Sequence, residues 1–133
     1  MEQGRYFTHD EANALLPAVR ALAERMVAHR AALEQAQGKL GVFLERISGN
    51  GGGLQPAALA EAHDAVEREA AGVARCVEGI QELGGLVKDV GEGLVDFLAK
   101  REGEDVLLCW KLGEDEITHW HGLEEGFAGR KPL

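Results

Sequence analysis

The chain has 133 residues with 23 acidic and 14 basic side chains, for a formal net charge of −9; that length suits one domain around one core. Its acidity argues against nucleic acid or an anionic membrane surface as partner, because no basic cluster is longer than a pair such as Arg130-Lys131. No apolar run approaches the roughly 20 residues that span a bilayer, and Met1 to Arg5 lack the charged-then-apolar order of an export signal, so a cytoplasmic protein with free thiols at Cys76 and Cys109 is expected.

The first helix is expected over residues 8–47. Thr8 and Glu11 form a capping box, each side chain reaching the other's backbone amide. Apolar residues then recur at heptad spacing: Ala12, Val19, Met26, Leu33, Leu40 and Ile47, with Leu15, Leu22, Ala36 and Phe43 offset by three and His29 the one polar member. Pro17 cannot bond the Asn13 carbonyl and predicts a kink. Residues 48–55 are glycine-rich and read as a connector. A second helix follows over 56–83, with Gln55 as its cap, Pro56 in its first position and Gly84-Gly85 at its end. Folded back antiparallel, the two stripes match, with Leu33 near Ala70 and Met26 near Val77. The amino end of helix 1 then overhangs, and should lie against whatever follows helix 2.

From residue 86 the period changes to alternation. Strands are expected at 87–90, 94–101, 105–112 and 117–121, separated by glycine-bearing turns, and residues 122–133 read as an irregular tail. The fold class is therefore α+β: a long antiparallel helical hairpin followed by a small three- to four-stranded antiparallel β-meander over 86–121. Pairing about the Glu102-Gly103 turn sets Val95, Phe97 and Ala99 opposite Trp110, Leu108 and Val106 on an apolar, helix-facing side. Asp96 then meets Cys109 on the other side. Two registers suit the last strand. In one, Trp110 meets His119, and both His119 and His121 point at the helices. In the other, Trp110 meets Trp120, Cys109 meets His121, and Asp96, Cys109 and His121 form a row. A one-residue slip exchanges the two faces.

The segments Tyr6-Phe7-Thr8-His9-Asp10-Glu11-Ala12-Asn13-Ala14-Leu15-Leu16-Pro17, Gly93 to Phe97, Leu108 to Glu114, Trp120-His121 and Gly126 to Arg130 resemble a bacterial family known as domain of unknown function 2203. The resemblance covers nearly the whole chain. It implies a small cytosolic protein of helices followed by strands; it implies no activity and carries over no site residues.

Two functional classes lead, with a redox thiol at Cys109 as a third reading. The first is a non-enzymatic interaction module without a cofactor: the loop-proximal halves, Leu33 to Ile47 and Leu59 to Val66, would pair with a second copy as a four-helix bundle, giving a homodimer, or would take another protein partner. The second is a metal-binding protein or small metalloenzyme at the junction of helix 1 and the sheet. Zn²⁺ or another transition metal would be held by His121 with some of Cys109, Asp96, His119 and, from the overhang, His9. Thiolate, imidazole and carboxylate are all zinc ligands, and the same trio could activate a Cys109 nucleophile. No Gly-x-Gly-x-x-Gly or Walker-type loop is present to cradle phosphates, and no catalytic residue is assigned.

Overall fold

A computed structural model describes residues 5–49 and 55–133. Two helices, α1 (His9–Gly49) and α2 (Pro56–Leu83), precede five strands: β1 (Leu86–Asp89), β2 (Leu94–Arg101), β3 (Glu104–Lys111), β4 (His119–Gly122) and β5 (Lys131–Pro132). A 3-10 turn at Phe127–Gly129 leads into β5.

The capping box opens α1: Glu11 Oε1 accepts the Thr8 N–H at 2.9 Å, and Thr8 Oγ1 accepts the Glu11 N–H at 3.0 Å. The helix runs without a break through Pro17 and on to Gly49, two residues into the expected connector; residues 50–54 of that connector lie outside the described residues. Gln55 caps α2 with its backbone carbonyl, which accepts the N–H groups of Ala58 and Leu59, and not with its side chain. At the other end Gly84 takes φ 104°. The N–H groups of Gly84 and Gly85 reach back to Gln81 and Ile80, satisfying carbonyls the helix leaves open. A side chain at Gly84 would also collide with the Phe7 ring.

The helices are antiparallel. The His29 ring faces Gly72 and Leu22 faces Gly79, within two residues of the expected alignment. In α1 the buried residues are Ala12, Leu16, Val19, Ala23 and Met26. Leu16 and Ala23 take the buried places where a strict heptad seam would put Leu15 and Leu22, because α1 is covered by both α2 and the sheet and so buries a wider face. Past Met26, no described residue of α1 is buried.

The sheet is antiparallel in the order β1-β2-β3-β4-β5. The β2–β3 register is the expected one, with Val95 opposite Trp110, Asp96 opposite Cys109, Phe97 opposite Leu108 and Ala99 opposite Val106. A two-residue turn fixes it: Glu102 and Gly103 both have positive φ, 54° and 84°, as a type I′ hairpin requires. The β3–β4 register is neither of the two expected. Leu107 pairs with His121, Leu108 with Trp120 and Cys109 with His119. Sidedness follows the second alternative, but the strand is displaced by two residues. The cause lies in α1, whose side chains occupy Ile117: Asn13 Oδ1 accepts its N–H at 2.8 Å, and His9 Nε2–H donates to its carbonyl at 2.6 Å. With both backbone groups taken, Ile117 cannot join the ladder, and β4 begins at His119 instead. The tail is also a correction. Its residues Pro132 and Lys131 pair with His119 and Trp120, which makes five strands where three or four were expected.

One face of this sheet, bearing Val95, Phe97, Ala99, Val106, Leu108 and Trp110, packs on Leu16, Val19, Met26 and Ile80. Phe7 enters the same core, edge-on to Phe97 at 5.6 Å between ring centres.

Candidate metal centre

Alternation along β2, β3 and β4 sends Asp96, Cys109 and His121 to the face turned away from the helices. The expected junction of helix 1 with the sheet is therefore not where these side chains meet. Water would ordinarily cover such a face, but here the tail does. Arg130 forms a two-pronged pair with Glu114, 2.7 Å at the shorter contact, and its guanidinium lies 4.2 Å from the centre of the Phe127 ring. Glu125 Oε1 accepts from Lys131 Nζ and from the Gly122 N–H, both at 2.7 Å. Beneath this cover Asp96 and Cys109 are each 1% exposed and His121 3%.

One donor atom from each of the three residues lies within 4.8 Å of the other two. His121 is oriented by its neighbour: Nδ1–H donates to the Gly122 carbonyl at 2.8 Å, which leaves Nε2 facing Asp96 Oδ2 at 3.0 Å. Two lone pairs would not approach so closely, so the pair holds a further proton, on either the carboxyl or the imidazole. Burial raises the Asp96 carboxyl above its ordinary value, and His121 and Lys88 oppose that shift. The Cys109 thiol is pushed up to about 11, first by burial and then by the Asp96 carboxylate, against a hydrogen bond from Arg130. At neutral pH Cys109 is a thiol, which makes it a poor nucleophile. Protons thus hold together three groups that would otherwise repel or stand unpaired.

The donor set fits zinc. Nitrogen and sulfur ligands at 2.0–2.3 Å from a tetrahedral ion stand about 3.3–3.8 Å apart, so side-chain shifts on the order of 1 Å would complete the geometry. The Gly122 carbonyl on His121 and Arg130 beside Cys109 are the outer-shell partners such a site needs.

Of the five residues singled out in the sequence, the fold gathers these three. His119 shares their face, opposite Cys109, but its Nδ1 is engaged by Thr118 Oγ1 at 2.9 Å and it stands outside the cluster. His9 lies on the helix side, bound to Ile117. His29, the polar member of the stripe, pairs with Glu69 at 2.7 Å between the helices. A cavity of about 230 Å³ opens over the cluster, lined also by Lys88, Asp89, Leu94, Glu125, Gly126 and Phe127. Of those six, Leu94, Gly126 and Phe127 fall in the segments that carry the family resemblance, and Glu125 belongs to an acidic pair that the sequence presents as a solvated turn.

No curated protein matches the chain, and no solved structure does. The model of the family described as Uncharacterized conserved protein (DUF2203) matches residues 5–133. All but the first four residues are matched, and the chain belongs to that family.

Proposed function

We propose that the protein binds one transition-metal ion, Zn²⁺ by its donor set, at Asp96, Cys109 and His121. The observation that carries this is the convergence, within 4.8 Å, of three chemically different and buried donors. A structural core has no need to bury a carboxyl, a thiol and an imidazole side by side, because apolar residues of similar volume are as stable or more so. Binding would displace the proton shared by Asp96 and His121 and the proton on Cys109, so affinity should rise with pH. A calorimetric titration of chelator-treated protein with Zn²⁺ tests it. About one site per chain is expected, with proton release that shows as a dependence of the heat on buffer ionisation enthalpy. Asp96→Asn should abolish uptake while leaving the fold intact, since the amide can still donate to His121 Nε2. Equal uptake by the wild type and Asp96→Asn refutes the site.

Assembly rests on a separate observation. Val42, Leu44 and Ile47 near the end of α1 are 47%, 45% and 43% exposed, on a two-helix arm that the sheet does not cover. We infer that a second copy covers this arm, completing a four-helix bundle.

A further inference from the structure

The cover over Asp96, Cys109 and His121 is weakly fastened. No residue after His121 is buried, so the tail gains little apolar burial of its own, yet the three side chains beneath it are at most 3% exposed. Polar contacts near the surface hold it down. β5 adds two positions to the ladder. Arg130 grips Glu114 with two bonds of 3.3 and 2.7 Å, between side chains 18% and 25% exposed. Lys131 holds Glu125 at 2.7 Å, but both of those side chains are 45% exposed, so this is the weaker fastening. The Phe127 ring lies 4.2 Å from the Arg130 guanidinium and 5.5 Å from Lys111 Nζ. A segment with few buried apolar contacts and exposed hydrogen bonds opens at a free energy well below that of global unfolding.

The cavity lining joins Glu125, Gly126 and Phe127 of the tail to the three donors. Lifting the tail therefore removes one wall and bares the donors to water. The β2–β3 hairpin is left intact, because its own turn fixes its register. We propose that the tail is a latched flap, with the Arg130–Glu114 pair as its main latch, and that its opening sets the rate at which a metal ion enters and leaves. The passage of metal rests on the metal-binding reading above; the flap itself does not. Glu114 is not one of the donors and does not line the cavity, so it fastens the tail over the empty and the filled site alike. A contact common to both states shifts no equilibrium between them. Loosening it should raise uptake and release by the same factor and leave affinity unchanged, whereas loss of a metal ligand weakens binding.

Glu114→Gln tests the latch in the full chain. It keeps an oxygen for the Lys111 N–H and removes the charge that grips Arg130. Iodoacetamide alkylation of metal-free protein, resolved by peptide mass spectrometry, follows the flap alone. Cys109 should react about fivefold faster than in the wild type, and Cys76, buried in the helix-facing core, at an unchanged rate. Stopped-flow exchange of Zn²⁺ with a chromogenic chelator follows the metal. Uptake and release should each rise about fivefold with affinity unchanged, and Lys131→Gln should give about twofold in both assays. If Cys76 also reacts faster in Glu114→Gln, the fold has loosened generally and Lys131→Gln decides. Cys109 reacting at the wild-type rate overturns the flap. Faster alkylation with unaltered zinc exchange overturns its control of the metal, and faster release with affinity falling in step overturns the latch. Protein that takes up no zinc overturns the metal reading, and the alkylation rates still decide the flap.

Discussion

A shared proton is what lets Asp96 and His121 lie 3.0 Å apart in the dark of the sheet. His121→Ala takes away that partner, leaves a buried carboxyl and opens a void, so a loss of about 2–4 kcal/mol is expected in denaturant titration of the metal-free protein. The pH dependence follows from Cys109. Its thiol ordinarily ionises near 9.0, but in the fold only near about 11. Between those values the unfolded chain has lost a proton the folded chain still holds, so stability falls as pH rises from 9 to 11. Two units correspond to a few kcal/mol at most, on the order of 2. Asp96 has the same sign lower on the scale, its folded value being raised above 3.8. Zinc bound at the proposed site would reverse the trend, since it needs both groups deprotonated. Thermal unfolding of stripped protein from pH 9 to 11, and of zinc-loaded protein from pH 5 to 8, should therefore show opposite slopes. That Asp96 and Cys109 would be neighbours was legible in the sequence, because strand alternation and a two-residue turn leave one register. That both are buried was not legible, because the cover comes from a tail with no period of its own.

At the scale of elements, the amino-terminal turns of α1 act as a clamp on the chain between β3 and β4. His9 and Asn13, four residues apart and so on one helical face, take the carbonyl and the N–H of Ile117. Phe7 extends the hold, its N–H donating to the Leu98 carbonyl at 2.8 Å. Asn13→Ala leaves the Ile117 N–H buried and unmet, at a cost of about 1–3 kcal/mol. The loss should appear as faster amide hydrogen exchange in β4 and β5, with β2 and β3 less affected. Equal protection across the sheet would contradict the clamp. The same contact explains which parts of the topology the sequence could disclose. Helix ends, caps and the β2–β3 hairpin depend on neighbours a few residues away, and they were readable. The β4 register depends on side chains more than 100 residues upstream, and β5 on the free edge of β4. Neither leaves a local periodicity to read, so the sequence discloses neither the bond of His9 to Ile117 nor the strand in the tail.

At the scale of the molecule, the sheet covers only the half of the hairpin around Met26 and Ile80. The distal arm keeps Leu33, Leu40 and Leu59 half-buried between two helices, and a pair of helices alone does not enclose a core. Light scattering at micromolar concentration is expected to give the mass of two chains, and Val42→Glu combined with Ile47→Glu to return one. A wild-type mass of one chain would leave the arm as a bare monomeric hairpin. The proposed metal site stands apart from that outcome, its three donors lying on the opposite face of the sheet from the helices. Metal content decides it most directly. Tag-free protein purified without chelator, analysed by elemental mass spectrometry, should carry about one zinc per chain, and Asp96→Asn purified alongside should carry none. Wild-type protein that is folded, metal-free and indifferent to added zinc would show that Asp96, Cys109 and His121 are held together by protons alone.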